Sequence, residues 1–398
     1  MRIITRTVVI LSLVSLFADV ASELLYPVIP VYLSSIGLPV VWIGLMEGVA
    51  NFIAGLTKGY FGKRSDEKGE RLPFVRFGYT LSAIAKPLMV VFSLPVWIIF
   101  TRTLDRLGKG VRTAARDALL SDEATPTTKA RVFGFHRGMD TAGATIGPIL
   151  ALVFLYSHPG EYKTLFYYAF IPGLISIALI FLLHEKKKEI TKVRKSGFFS
   201  YLGYYKKADP RYRRLAAGLL AFALFNSSDM FLLLQAQHAI GDQVIHLGSI
   251  TLHSGSITIA AYVFYNLIFA LSAYPLGVLA DRFGTKKVFT TGLLLFAIVY
   301  GGFASHPSLL FIFVLFFLYG IFSGLTEGIS KAWISNIASK EHTATAIGFY
   351  TSAESIATLM ASITGGLLWT YTGAASAFFV PAIVAVIVFI YFSFFTKD

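Results

Sequence analysis

The chain has 398 residues, of which 55% are hydrophobic and only 14% charged, with a net charge of +13. A soluble domain carries about a quarter charged residues, so this chain lacks the polar surface for a water-facing globule and reads as a polytopic membrane protein. The absence of cysteine excludes disulfides, iron–sulfur clusters and thiolate metal sites.

The first residues, MRIITR, run directly into apolar sequence with no small-residue cleavage site, so the opening segment is expected to span the membrane and not to be removed. Twelve apolar runs follow, near 7–34, 39–61, 73–94, 96–120, 131–156, 164–184, 212–239, 254–279, 287–305, 308–337, 343–370 and 375–395. Each is long enough to cross a bilayer as a helix. An even count places both termini on one side. Basic residues crowd alternate loops: Lys63, Arg64, Lys68 and Arg71, then Lys129 and Arg131, then the stretch from Lys186 to Arg214, then Arg282, Lys286 and Lys287. The intervening loops are nearly free of them, Lys163 excepted, and the positive-inside rule then makes the basic side, and both termini, cytoplasmic. Charge spread over juxtamembrane loops suits anionic lipid headgroups and argues against nucleic acid as a partner.

The longest basic segment joins runs six and seven and divides the chain into residues 1–185, a linker 186–211, and residues 212–398. The two halves are related. GKRSDEKGER aligns with GVLADRFGTK at a shift of 215, matching Gly62, Asp66, Gly69 and Arg71 with Gly277, Asp281, Gly284 and Lys286, and also Asn51 with Asn266. A shift of 214 pairs Gly110 with Gly324, Ala118 with Ala332, Ser121 with Ser335, Gly134-Phe135 with Gly348-Phe349, and Asp140 with Glu354. The chain is therefore expected to be a duplicated six-helix unit with parallel repeats, a construction used by rocking transporters.

On these residues the sequence resembles the major facilitator superfamily over its whole length. The loop motif Gly-x-x-x-Asp-x-x-Gly-x-Arg/Lys occurs after the second and the eighth run. RLGKGVRTA, Arg106 to Ala114, is similar to the family's Arg-x-x-Gln-Gly motif, with Lys109 in place of Gln and Arg112 in place of a small residue. PVIP, Pro27 to Pro30, resembles the Pro-Val-x-Pro of drug–proton antiporters. GFHRGMDTAGATIGPILA resembles the antiporter motif of helix 5 through Gly134, Gly143, Gly147 and Pro148, with Ala151 where that motif ends in Gly. The resemblance implies an all-α fold of twelve transmembrane helices in two six-helix bundles. It implies alternating access and the drug–proton antiporter (exporter) group. The expected partners are a small-molecule substrate, protons and membrane lipids, in a monomer of the bacterial-type inner membrane that needs no cofactor beyond a proton gradient. A proton-coupled importer is the alternative, and Ala151 weakens the case against it. No His-rich metal spacing, nucleophile–base pair or phosphate loop suggests an enzyme.

The motif loops carry a gate expectation. Gly62, Gly69, Gly277 and Gly284 allow tight turns and close helix approach, while Asp66 and Asp281, with Arg71 and Lys286, hold the halves together on the cytoplasmic side. Gly143 and Gly147 form a small-xxx-small face, expected to pack against the other half, with Pro148 bending the helix. Ionisable residues at membrane depth face the protein interior and are functional candidates. Asp19 lies about a dozen residues into the first run, near mid-depth, and Glu23 one turn beyond it on the same face. Asp140 and Glu354 lie in the inner half. These four are the candidates for proton coupling, Asp19 first, with a fixed salt bridge from Asp19 to Arg106 or Lys86 as the structural alternative. By the resemblance, helices 1, 4, 7 and 10 line the cavity, which makes Arg106, Asn226, Asp229 and Glu327 candidates for substrate contact. Arg106 either pairs with Asp19 or Asp140 or binds an anion. Arg112 and Arg116 are expected to snorkel or to pair with loop acids, and His136 and Arg137 to be interfacial anchors.

Overall fold

The computed structural model describes residues 3–26, 28, 29, 32, 40–158, 160–185, 197–241, 245–247, 250–252, 254–305 and 307–395. Among the described residues, twelve helical segments follow the twelve apolar runs. They are α1 (Arg6–Glu23), α2 (Val40–Lys68), α3 (Leu72–Leu88), α4 (Pro95–Asp122), α5 (Lys129–Ser157), α6 (Tyr162–Phe181), α7 (Pro210–Ala223 continuing as Met230–Ile240), α8 (Ser254–Phe283), α9 (Thr285–Ala304), α10 (Leu309–Ile337), α11 (Thr343–Thr372) and α12 (Ala374–Phe395). Within the motif PVIP, Pro27 and Pro30 lie outside the described residues, as do 186–196 of the linker.

Local chemistry explains the helix boundaries. The Thr5 hydroxyl accepts from the Val8 amide at the start of α1, and Asp209 caps α7 through the Arg211 amide with Pro210 in the first turn. Gly69 and Gly284 take φ values of 66° and 96°, so each motif loop turns on a left-handed glycine before the next helix begins. The stretch between the two parts of α7 is LFNSSD, where Asn and Ser compete for backbone hydrogen bonds and interrupt the helix. A small antiparallel hairpin, β1 (Ile245–Leu247) with β2 (Ile250–Leu252), connects α7 to α8 and is the one addition to the all-α expectation among the described residues.

Seven of the helices, α1, α5, α6, α8, α9, α10 and α12, are long and apolar enough to cross a membrane by length and composition. Helix α4 falls short because of its charged face. In the first bundle α4 packs on α2 and α3, and α1 packs on α5 and α6. In the second, α10 packs on α8 and α9, and α9 on α12. The bundles meet along two seams, α2 against α11 and α5 against α8. The seams are related by the duplication, because α8 repeats α2 and α11 repeats α5, and packing within each bundle repeats as well. Gly110 packs on Ala54 and Thr57 of α2, and its repeat mate Gly324 packs on Ser272, Ala273 and Leu276 of α8.

Candidate functional site

The hydrogen bonds and ion pairs that join the halves gather at the end where α2 and α8 finish and α5 and α11 begin. Asp66 reaches across the α2–α11 seam. Its carboxylate accepts from the Thr345 amide at 2.7 Å and the Thr345 hydroxyl at 2.8 Å. Asp281 does the same at the other seam, accepting from the Ala130 amide at 2.9 Å, the Arg131 amide at 3.1 Å and Arg131 Nε at 2.7 Å. Each of these aspartates, in the last turn of its own helix, therefore sits on the positive N-terminus of a helix of the opposite half. Arg71 binds Asp66 at 3.2 Å and Asp122 within its own half, and it also donates to the Lys340 carbonyl of the other half. The cross-half hold thus comes from aspartate on a helix end, with one added bond from Arg71 to Lys340, and the Asp66–Arg71 pair itself stays within one half. Gly62 and Gly277 permit the approach: a Cβ at either would lie 2.5 Å from a backbone oxygen of Ala344 or Ala130.

Deeper in the bundle, a second layer carries charge between the halves. Lys331 of α10 binds the fully buried Asp117 of α4 at 2.7 Å, and Arg116 holds the same carboxylate at 2.9 Å. Arg137 of α5 binds Asp140 at 2.6 Å on its own helix and also pairs with Glu327 of α10. Lys58 of α2 donates to Ser355 Oγ of α11 at 2.9 Å and faces Glu354, whose carboxylate also accepts from Tyr350 at 2.7 Å.

Above this layer, Asp19 and Asp140 are close charged neighbours, with Glu23 and Lys109 as further charged neighbours of Asp19. Lys109 lies at the midpoint of α4 and is exposed, although the charges of Asp19, Asp140, Arg106 and Arg112 surround it. An exposed ammonium in that company faces a wet space between the bundles, because a lipid-facing one would be strongly disfavoured. On the second half, Asp229 stands where α7 resumes and accepts from Tyr319 at 2.7 Å, with Tyr262, Tyr265 and Tyr300 around it. Asn226 lies in the same interruption, and its Oδ1 is buried with no partner among the described residues. No group of His, Asp or Glu among the described residues could hold a metal ion.

Two bundles of six helices, duplicated seams, and charge sunk between them narrow the fold to one architecture. The family model of the Major Facilitator Superfamily matches residues 11–264 and 244–398. The chain belongs to the Major Facilitator Superfamily. An uncharacterized MFS-type transporter of Methanocaldococcus jannaschii is 31% identical over 370 residues, 92% of this chain and 89% of that protein. The quinolone resistance protein NorA of Staphylococcus aureus is 25% identical over 177 residues, 44% of this chain and 43% of NorA. Among solved structures, the human organic anion transporter MFSD10 superposes with a TM-score of 0.75 at 15% identity, covering 97% of this chain and 99% of that one. The Escherichia coli fucose:proton symporter FucP does so with a TM-score of 0.75 at 12% identity, covering 98% of both chains. These structural likenesses establish the fold. Proteins of this superfamily are membrane transporters, not enzymes.

Within that fold several expected contacts are rearranged. Lys86 pairs with Asp105 at 3.2 Å and not with Asp19. Asp140 takes its cation from Arg137, and the charges around Asp19 include those of Asp140, Lys109 and Glu23. Arg112 and Arg116 do not snorkel. Arg112 lies 4.3 Å above the Tyr79 ring, and Arg116 donates to Ser15 at 2.9 Å. His136 and Arg137 are not interfacial anchors either: His136 is buried beside Ser12 at 3.4 Å, and Arg137 bridges the halves. The residue positions carried the signal. Both lie seven or eight residues past Lys129, about 10–12 Å into the helix at 1.5 Å per residue, which is too deep for a headgroup anchor. Gly143 and Gly147 pack on α1 of their own half, against Leu16, Asp19, Val20 and Leu24. The helix 5 glycines that meet the other half are Gly134 and Gly138, on Ala273 and Ala270. Glu354 is not among the groups around Asp19 but stands with Lys58 on the opposite seam. Lys58 and Lys331 were not singled out from the sequence; each is a lone cation in an apolar run, the same signal that marked Asp19.

Proposed function

We propose that this protein is a proton-coupled antiporter that exports small amphipathic or anionic organic molecules by alternating access. In this reading residues 1–185 and 212–398 rock against each other about the joint seams. Residues 186–211 are a cytoplasmic linker. The clasped end and both termini face the cytoplasm, and the monomer sits in a bacterial-type inner membrane. The observation that carries the reading is Arg137, shared between Asp140 and Glu327 of the other half, with Asp19 as a charged neighbour of Asp140.

The physical argument runs through Arg137. Two neighbouring carboxyl groups at low dielectric are accommodated best when they hold one proton between them. While the clasp is closed, Arg137 divides its charge between Asp140 and Glu327. Opening the clasped end withdraws Glu327, leaves Arg137 wholly to Asp140, and favours release of the proton on that side. A substrate entering there meets Lys109 and Arg106 on one wall and Asn226 and Asp229 on the other. Proton inward and substrate outward then share one conformational cycle. The partial relationship to a quinolone resistance protein supports export.

The test is reconstitution with a pH dye inside the vesicles, loaded with a quinolone or a small aromatic carboxylate. Efflux of the substrate is expected to acidify the lumen. Asp19→Asn and Asp140→Asn are expected to abolish the proton signal while substrate binding, followed by thermal stabilisation, persists. Alkalinisation during efflux would mean that substrate and proton travel together and would overturn antiport in favour of the importer.

A further inference from the structure

We propose that the linker between the halves is a latch seated on anionic lipid, with Tyr201 as its bolt across the α2–α11 seam. The described part of the linker forms a short 3-10 turn, Phe198–Leu202, and a helical turn, Gly203–Lys207. Tyr201 is 1% exposed although it belongs to a connecting segment. Its hydroxyl lies 3.0 Å from Ser352 Oγ of α11, in the second half. Its ring fills a slot made by Gly59 of α2, in the first half, where an added Cβ would stand 2.2 Å from the ring edge. One side chain thus touches both walls of a seam that alternating access must part.

The neighbouring residues show how the linker is mounted. Tyr205 stacks on Phe349 of α11 at 5.5 Å, so the linker's C-terminal part is bound to the second half, and Tyr212 just beyond it in α7 donates to the Ala346 carbonyl at 2.8 Å. Phe198 lies 4.9 Å from Tyr60 of α2, which ties its N-terminal part to the first half. Parting α2 from α11 requires Tyr201 to leave either the Gly59 slot or Ser352.

The opposite side of the same turns faces outward. Phe199 is 59% exposed and Leu202 48%, while Lys206, Lys207, Arg211, Arg213 and Arg214 follow them, all exposed. Large apolar side chains beside a run of basic ones are the pattern of a segment lying in the headgroup layer, with the apolar groups dipping in and the cations on anionic phosphates. Anionic lipid that seats Phe199 and Leu202 holds Tyr201 in its slot and favours the clasped state.

This proposal rests on alternating access but not on the substrate or the proton, and its test reads seam opening directly. The chain has no cysteine, so Lys68→Cys and Glu341→Cys, both exposed and on opposite halves, give a clean spin-label pair at the clasped end. Distances are measured in vesicles of phosphatidylcholine alone and in phosphatidylcholine mixed with phosphatidylglycerol. The parent is expected to favour the short distance more strongly with phosphatidylglycerol. Tyr201→Ala should raise the long-to-short ratio roughly tenfold, the scale of one buried aromatic contact with its hydrogen bond. Gly59→Ala, which blocks the slot without touching the linker, should act in the same direction. Tyr201→Phe, which keeps the ring, should have a smaller effect. Phe199→Ser with Leu202→Ser should remove the lipid dependence. Asp281→Asn serves as the control that weakens the other seam. If it opens the clasped end while Tyr201→Ala and Gly59→Ala leave the distance unchanged, the latch is overturned and alternating access stands. If none of the three opens it, both fall. A parent indifferent to phosphatidylglycerol overturns the lipid seat.

Discussion

Lys86 occupies the last turn of α3 at membrane depth, and its neighbours show why it is tolerated there. Its ammonium lies 3.2 Å from Asp105 Oδ1 and donates to the Ser82 carbonyl at 3.1 Å, while Arg102 holds the second oxygen of Asp105 at 3.2 Å. One carboxylate therefore touches two buried cations. The asymmetry makes a prediction. Asp105→Asn takes the carboxylate from both cations at once and should destabilise the fold by about 3–5 kcal/mol, whereas Lys86→Met leaves an intact Asp105–Arg102 pair and should cost less. Thermal unfolding in detergent orders the two, and a larger loss for Lys86→Met would refute the shared-carboxylate account. The sequence exposed every one of these charges, because an ionisable residue inside an apolar run is conspicuous. It did not reveal their partners. Lys86 and Asp105 are 19 positions apart on neighbouring helices, and which faces of two helices meet is a property of packing that single-helix periodicity does not contain.

At the scale of one element, α5 shows the same limit and also a missed opportunity. Gly134 and Gly138 touch α8 of the other half, while Gly143 and Gly147 touch α1 of their own. From Gly134 to Gly143 is nine residues, about 900° at 100° per residue, which is half a turn beyond two full turns. The two glycine pairs lie on opposite faces, and α5 is a wedge with one close-packed side in each bundle. The helix was legible because Gly134 recurs as Gly348 at a fixed shift, and Gly143 and Gly147 because they form a small-xxx-small pair. The double role of α5 was present in that arithmetic. It follows that the two faces respond differently to a methyl group. Gly147→Ala pushes on the Leu24 amide, 2.6 Å from the new Cβ, inside one bundle and should lower the melting temperature with little change in conformational balance. Gly134→Ala pushes on the Ala273 carbonyl, 2.3 Å away across the seam, and should shift the protein toward the state open at the clasped end. Labelling of a cysteine placed at Ser335 separates the cases: the rate should rise for Gly134→Ala and stay near the parent's for Gly147→Ala. Equal rates in both variants would contradict the two-faced reading.

The whole molecule is organised about the axis that relates its halves, and one ion pair marks where that axis runs. Asp117 and Lys331 are 214 positions apart, the shift that also pairs Gly110 with Gly324. Repeat mates that touch each other must straddle the symmetry axis, and these two bind at 2.7 Å. Were the mates alike, two buried like charges would face each other there. Divergence to opposite signs turns the same self-contact into an attraction between the halves. Asp117 keeps Arg116 when the halves part, so opening the clasped end does not leave it stranded, and the pair can act as a reversible closing contact. Lys331→Ala should therefore spare the fold and weaken closure. A loss of about 1–2 kcal/mol from the clasped state raises the open population roughly 5–30-fold, and cysteine labelling at Ser335 should accelerate accordingly. Lys331→Arg retains the charge and should remain close to the parent. A Lys331→Ala protein whose Ser335→Cys is labelled no faster than the parent's would show that this pair carries no closing free energy, leaving the helix-end aspartates Asp66 and Asp281 to hold the clasped end.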